Sequence, residues 1–210
     1  MKLWSNSWAD TAPIPSRYAA GRLDGADGVG FSDNLNPHLA WSGVPEGMKS
    51  FALICHDPDV PSRGDDVNQP DREVPADLPR VNFYHWLLID LPPGLSGIAE
   101  GEFSRGFTPR GKAGPGSLHG ARQGVNDYTM WFAGNPDMAG QYFGYDGPFP
   151  PFNDSLMHHY VFTLFALDVA RLGLEGAFTG AQVRDALHGH VIDQATFSGS
   201  YSLNRRLLAE

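Results

Sequence analysis

The segment at residues 158–169, HHYVFTLFALDV, constrains the fold more than any other part of the chain. Successive side chains of a β-strand point to opposite faces of the sheet. One face of this segment would carry Tyr160, Phe162, Leu164 and Ala166, and the other would carry Val161, Thr163, Phe165 and Leu167. Because both faces are mostly apolar, the segment is predicted to be a central strand that is covered on both sides.

Shorter patterns predict the remaining regular elements. Strands are expected at residues 50–56, 81–90, 128–132 and 195–203, which are rich in apolar, β-branched or aromatic side chains. A helix is expected to begin at Thr179, because Thr179 and Gln182 match a capping box and apolar residues follow at helical spacing. Residues 144–155 contain three prolines and are therefore expected to be irregular.

Glycine and proline determine how often the chain turns. The chain has 25 glycines and 17 prolines among 210 residues, which argues for short elements joined by turns and against a helical bundle. Residues 57–80 and 101–126 are predicted to be long loops, and loops of that length tend to be functional. The prediction is a mainly β fold, an antiparallel β-sandwich with a few peripheral helices, the clearest near the C-terminus. We expect residues 1–210 to form a single domain.

Charge and composition exclude several classes of function. The formal net charge is −9, which opposes binding to nucleic acid or to an anionic membrane surface. A single cysteine excludes an internal disulfide framework. No apolar run is long enough to predict a membrane span, and the N-terminal residues lack the apolar core of a secretory signal. The expected location is the cytoplasm.

Three segments place polar side chains at or inside predicted strands. Asp57 and Asp59 follow a buried strand in a turn that Pro58 would stiffen. His85 lies inside the second strand, and simple alternation would place it on the same face as Phe83 and Leu87. His158 and Tyr160 share one face of the longest strand. Each has a structural alternative, because aspartates cap turns and a buried histidine needs only a hydrogen-bond partner.

The order of these segments resembles that of a known family. Residues 57–63, DPDVPSR, are similar to the DPDxPSR segment of the phosphatidylethanolamine-binding protein family, and YHW at 84–86 is similar to its histidine strand. The loop GYDGPFPP at 144–151, followed by HHY at 158–160, resembles the family's YxGPxPPxG…HRY motif. Two further segments, QGVND at 123–127 and FALD at 165–168, resemble the bacterial Raf kinase inhibitor-like branch.

The resemblance implies a small anion pocket at one end of the sandwich, for phosphate or a phosphoryl head group such as that of phosphatidylethanolamine. Carried over by position, the ligand-binding residues are Asp57, His85, His158, Tyr160, Gly147, Pro148 and Tyr145. The resemblance implies no catalytic residue, no metal and no cofactor. It also allows regulation of a kinase or protease partner, and it suggests a homodimer.

Imidazole, phenol and backbone N–H groups all donate to phosphate oxygens. Asp57 would repel an anion, so its expected role is to orient a histidine and favour its protonation, or to meet an ammonium group. Since an ordinary histidine becomes protonated near pH 6.5, phosphate binding is predicted to be tighter below that pH. His159 replaces the arginine of the HRY motif, and strand alternation turns it away from His158 and Tyr160.

Two other interpretations remain open at this point. The same aspartates and histidines would serve a metal-dependent hydrolase, and Cys55 would serve a cysteine-dependent one, although neither has a recognisable motif. The sequence also contains a group of basic residues, Arg105, Arg110, Lys112 and Arg122. These residues would be either solvated loop charges or a means of steering an anion to the pocket.

Overall fold

The structure, a computed structural model, describes residues 1–26 and 28–208. The strands are β1 (Lys2–Trp4), β2 (Gly21–Asp24), β3 (Gly28–Phe31), β4 (Leu39–Ser42), β5 (Ser50–Pro61), β6 (Arg80–Leu91), β7 (Gly97–Ile98), β8 (Arg122–Gln123), β9 (His158–Leu167) and β10 (Val191–Tyr201). The helices are α1 (Tyr128–Trp131), α2 (Gly180–Leu187) and α3 (Arg205–Leu208), with short 3-10 helices at Ser16–Tyr18 and Leu118–Gly120.

The strands form a large sheet, a small sheet and a hairpin. The large sheet has the order β10-β9-β5-β6-β8, and every neighbouring pair in it is antiparallel. The small sheet has the order β1-β4-β7, and β2 pairs with β3. This confirms the predicted antiparallel, sandwich-like β architecture.

The large sheet is covered on both faces. On one face, apolar side chains of the small sheet such as Leu39 and Trp41 pack with Phe51 and Phe162 of the large sheet. The opposite face packs against α2, including its residue Val183. Strand β9 lies between β10 and β5 and has buried residues on both faces, which confirms the prediction made from its sequence.

Helix α2 forms where its capping residues predicted it. The side chain of Gln182 accepts a hydrogen bond from the backbone N–H of Thr179 at 2.9 Å, and helical structure begins at the next residue. The helix buries Val183 and Leu187, which are four residues apart and therefore share one face. This helix lies near the C-terminus, as expected.

The strand predicted at residues 128–132 is wrong, because residues 128–131 form the short helix α1 and Phe132 follows as its C-cap residue. The side chain of Asn126 accepts a hydrogen bond from the Tyr128 N–H at 3.1 Å, and the Asp127 carbonyl accepts one from the Trp131 N–H at 3.0 Å. The rings of Tyr128 and Phe132 stack with their centroids 5.7 Å apart. Contact between residues four apart is typical of helical geometry, so tertiary packing outweighs the strand preference of these aromatic residues.

The boundaries of the predicted loops also change. Strand β5 continues through Pro61, so the segment predicted as a turn at Asp57 lies inside the strand. The pairing of β5 with β6 shifts by one residue between Asp57 and Val60, and this bulge accommodates Pro58. Residues 144–155 are irregular, as predicted.

Candidate functional site

Four of the predicted ligand-binding residues meet at one cavity of about 200 Å³. Asp57 comes from β5, His85 from β6, and His158 and Tyr160 from the first residues of β9. All four are almost completely buried. Since β5 is antiparallel to both neighbours, the end of β5 adjoins the beginnings of β6 and β9, which brings these residues together.

A bulge in β6 points His85 into this cavity. Cys55 pairs with Trp86, whereas His56 pairs with Tyr84, so His85 is an extra residue in the ladder. The side chain of Leu87 faces α2, but His85 packs against Tyr160 on the opposite side of the sheet, with ring centroids 5.1 Å apart. The predicted shared face of His85 and Leu87 is therefore wrong, because alternation does not hold across a bulge.

His158 is held between two carboxylates. Its Nδ1 lies 2.6 Å from Asp57 Oδ2, and its Nε2 lies 3.0 Å from Asp154 Oδ2. Burial lowers the pKa of His158. The hydrogen bonds and charges of Asp154 and Asp57 have a larger effect in the opposite direction, and the pKa is raised overall to about 9. Both ring nitrogens therefore carry protons at neutral pH, and both N–H groups donate to carboxylates rather than to the cavity.

Arg80 completes this charged cluster. It donates to both carboxylate oxygens of Asp154, at 2.6 and 3.0 Å, and to the Asp59 carbonyl at 2.8 Å. Burial raises the pKa of Asp154, but hydrogen bonds from His158 and Arg80 outweigh it and lower that pKa overall. Two carboxylates and two cations thus leave the cluster without net charge.

The tautomer of His85 follows from its single hydrogen-bond partner. Its Nδ1 lies 2.7 Å from the backbone carbonyl oxygen of Asp146, which can only accept. Nδ1 must therefore carry the proton. Burial is the main cause that lowers the pKa of His85 to about 4, so the ring is neutral at pH 7 and its Nε2 is a bare acceptor. The expectation that this ring donates to a phosphate is revised accordingly.

A buried network supports the Asp146 carbonyl. The Asp146 carboxylate accepts hydrogen bonds from Asn34 at 2.7 Å, Asn126 at 2.8 Å and Lys112 at 2.9 Å. Burial raises the pKa of Asp146 despite the lowering effect of Lys112. The network fixes the backbone that orients His85.

Three other predicted residues belong to the wall behind the cavity rather than to its lining. The Gly147 N–H donates to Asn34 at 2.8 Å, so it is not free for a ligand. A side chain at Gly147 would have its Cβ 2.1 Å from the Tyr18 carbonyl oxygen, which explains the glycine. The Tyr145 hydroxyl donates to that carbonyl at 2.7 Å, and Pro148 lies in the same buried loop.

Aromatic and apolar side chains form the outer part of the cavity. These walls include Phe83, Tyr128, Trp131, Phe132 and Phe149. Trp131 is 51 % exposed and lies on α1 at the mouth. The cavity therefore combines a polar base with apolar walls, which suits a small ligand that has one polar end.

Tyr160 adds a hydroxyl group to the polar base. Burial and then the nearby Asp57 charge raise its pKa well above the ordinary value, so the phenol stays protonated at neutral pH. A protonated phenol can both donate and accept a hydrogen bond. This hydroxyl also hydrogen-bonds with Asp57, so it would have to turn away from that carboxylate to donate to a ligand.

Several supporting residues were missed at the level of sequence. They are Asn34, Arg80, Asn126, Asp146 and Asp154. From sequence, Lys112 and Arg122 were interpreted as either solvated loop charges or a means of steering an anion, but they form ion pairs with the buried carboxylates of Asp146 and Asp90. One signal in the sequence could have revealed this network: Asp146 is a charged residue inside the proline-rich loop at 144–151.

The hydrolase alternatives gain no support from this geometry. Cys55 is buried in the core between the sheets, and burial raises the pKa of its thiol, which makes it a poor nucleophile. Within residues 1–26 and 28–208, no group of three or more His, Cys, Asp or Glu side chains is arranged to hold a metal ion. Over the same residues, no helix is both long and apolar enough to span a membrane.

Comparisons with known sequences agree along nearly the whole chain. A family model described as phosphatidylethanolamine-binding protein matches residues 4–202. A UPF0098 protein of Methanothermobacter thermautotrophicus is 33 % identical over 201 residues, which cover 96 % of this chain and 98 % of that protein. The UPF0098 protein YbhB of Escherichia coli is 31 % identical over 202 residues, covering 96 % of this chain and 100 % of YbhB.

Two crystal structures have a similar fold. Escherichia coli YbcL, described as a new member of the mammalian PEBP family, gives a TM-score of 0.67 at 26 % identity, covering 96 % of this chain and 97 % of YbcL. CT736 of Chlamydia trachomatis, described as a homolog of phosphatidylethanolamine-binding protein, gives a TM-score of 0.63 at 28 % identity, covering 96 % of each chain.

Proposed function

This chain belongs to the phosphatidylethanolamine-binding protein family, and we propose that its cavity binds the phosphoryl group of a small phosphorylated compound. One observation carries the proposal: Asp57, His85, His158 and Tyr160 converge at the polar base of a single cavity. The apolar walls would contact the organic part of the ligand.

The charge balance of the base supports this ligand class. An isolated Asp57 carboxylate would repel an anion, but the His158 imidazolium lies 2.6 Å from it and Arg80 neutralises Asp154. Both Asp57 oxygens already accept hydrogen bonds, from His158 and from the Asp59 N–H at 2.7 Å. The role of Asp57 is therefore to keep His158 charged. The other role expected from sequence, binding an ammonium group of the ligand, is less favoured.

The pH dependence predicted from sequence needs a different cause. The pKa of His85 is about 4 and that of His158 is about 9, so neither ring titrates near pH 6.5. A phosphomonoester loses its second proton near pH 6. A change in affinity near neutral pH would then come from the ligand.

Replacing Tyr160 by phenylalanine is expected to weaken phosphate binding about tenfold, because one hydrogen bond to a charged oxygen is lost. Isothermal titration with inorganic phosphate measures the effect. Tyr201→Phe is the matched control, since the Tyr201 hydroxyl donates to the Gly21 carbonyl at 2.9 Å and Tyr201 is not among the cavity-lining residues. Unchanged affinity in Tyr160→Phe, or no phosphate binding by the unaltered protein, would contradict the proposal.

The remaining functional expectations stay predictions. They are the kinase or protease partner, the homodimer, the absence of catalysis, the single domain and the cytoplasmic location. No observation among the described residues that line the cavity favours the hydrolase alternative.

A further inference from the structure

We propose that the side-chain amide of Asn68 is a further binding group of the cavity and donates a hydrogen bond to the bound phosphoryl group. The inference rests on the proposed function and names a binding residue outside the four that converge at the polar base. Asn68 belongs to the loop 62–79, which joins β5 to β6 and contributes Val67 and Asn68 to the lining of the cavity.

Most hydrogen-bond donors that line the cavity are already in use. His158 donates both N–H groups to carboxylates, and His85 donates its single N–H to a backbone carbonyl. The Tyr128 hydroxyl donates to a backbone carbonyl at 2.9 Å, and the Tyr160 hydroxyl hydrogen-bonds with a carboxylate. Within residues 1–26 and 28–208, the cavity-lining side chains whose N–H donors have no acceptor in the protein are Asn68 and Trp131.

The oxygen of the Asn68 amide fixes the orientation of the whole group. Asn68 Oδ1 accepts a hydrogen bond from the Phe152 N–H at 3.1 Å. A flipped amide would place an N–H2 group against that N–H, so the positions of oxygen and nitrogen follow from the partner. Nδ2, which carries two protons, is thereby left as the free donor of this side chain.

The backbone of Asn68 is held as well. Its N–H donates to Asn153 Oδ1 at 2.9 Å, and its φ is 58°, in the left-handed region that asparagine adopts more readily than most residues. Asn153 is buried, and its Nδ2 lies 2.8–3.0 Å from the carbonyl oxygens of Asp66, Gln69 and Arg72. One buried side chain therefore holds the loop on both sides of Asn68.

The loop that carries Asn68 is anchored to the charged cluster at the base. Its ends meet where the Ser62 N–H donates to the Pro79 carbonyl at 3.0 Å. The next residue, Arg80, forms the ion pair with Asp154. The position of Asn68 relative to the polar base is thus set before a ligand arrives.

This support distinguishes Asn68 from Trp131. Trp131 is 51 % exposed on α1, and in the described part of the chain its indole N–H makes no hydrogen bond that would hold it. A donor that is already ordered loses little conformational freedom on binding, so more of its hydrogen-bond energy contributes to affinity. We therefore assign the phosphoryl contact to the amide of Asn68.

Replacing Asn68 by glycine is expected to weaken the binding of inorganic phosphate about tenfold, because a hydrogen bond to a charged oxygen is lost. Glycine adopts a left-handed φ without strain, so the path of the loop should persist. Thr11→Gly is the matched control, since Thr11 is exposed, has a φ of 66° and does not line the cavity. Isothermal titration measures both affinities, and trypsin cleavage after Arg63 or Arg72 reports whether the loop stays closed.

A second measurement uses the unaltered protein. In a nitrogen-15 spectrum, the side-chain N–H2 signal of Asn68 is identified by its absence in Asn68→Gly. Saturating methyl phosphate should shift this signal together with the His85 Nε2 signal. The amide of Asn6, which is exposed and does not line the cavity, should not respond.

The outcomes separate this inference from the proposed function. Unchanged phosphate affinity in Asn68→Gly, or a shift at His85 without one at Asn68, overturns the role of Asn68 and leaves phosphoryl binding intact. If trypsin cleaves the loop of Asn68→Gly faster, the Asn68 signal of the unaltered protein decides the question. If neither the Asn68 nor the His85 signal moves at saturation, the proposed function itself fails.

Discussion

Replacing His158 by glutamine is expected to lower the free energy of unfolding by about 3–5 kcal/mol at pH 7, because breaking a buried ion pair leaves an uncompensated charge. Asp154 would then keep its ion pair with Arg80, but Asp57 would lose its cation partner. A glutamine amide can donate to one of the two carboxylates but supplies no charge. Urea unfolding at pH 7 measures the loss.

The same residue predicts how stability changes in alkaline solution. The pKa of His158 is about 9 in the folded protein, above the ordinary value of about 6.5 for an unfolded histidine. Its stabilisation, about 3 kcal/mol by that difference, is fully present below pH 6.5 and is lost as the pH rises through 9. His158→Gln should therefore lack this alkaline decline.

His159→Gln is the matched control for this prediction. His159 neighbours His158 in the chain, but its ring is exposed and pairs with Asp59 at the surface. We expect its unfolding free energy to stay within about 0.5 kcal/mol of the unaltered protein. A loss below about 1 kcal/mol in His158→Gln, with the alkaline decline unchanged, would contradict the assigned charge state.

Replacing Lys112 by methionine is the second large effect, with an expected loss of about 2–4 kcal/mol at pH 7. Asp146 is buried and would keep two amide partners but lose its cation. Because burial already raises the pKa of Asp146, the variant should regain stability as the pH falls and the carboxyl becomes protonated. Urea unfolding between pH 4 and 8 measures both features.

The surface residue Lys49 provides the control for this experiment. Lys49→Met should change the unfolding free energy by less than about 0.5 kcal/mol. If Lys112→Met also leaves the unfolding free energy unchanged, or if its loss of stability is independent of pH, the Lys112–Asp146 ion pair does not support the backbone that orients His85.

The fold was predictable where local pattern and tertiary packing agree. Strand β9 is apolar on both faces and is covered on both faces, and Thr179 caps α2. The prediction was wrong at residues 128–132, where contacts with other aromatic rings decide the structure. The bulge at His85 was also missed, because a single extra residue in a ladder leaves no mark in the alternation of one strand.

The meeting of four candidate residues at one cavity was predictable from sequence, but the charges that they carry were not. Resemblance placed Asp57, His85, His158 and Tyr160 together, and they do line one cavity. Their protonation depends on Asp146 and Asp154, whose contacts no short sequence pattern reveals. Both histidines therefore depart from the pKa near 6.5 on which the sequence interpretation relied.

The most direct test of the account is the nitrogen-15 spectrum of the histidine side chains at pH 7, recorded with and without methyl phosphate. In the free protein, His158 should show two protonated nitrogens, and His85 should show a protonated Nδ1 with a bare Nε2. Saturating methyl phosphate should shift the His85 Nε2 signal and leave the Nδ1 proton in place. If the His85 signals do not move at saturation, or if only exposed histidines such as His188 respond, this cavity is not the phosphoryl site.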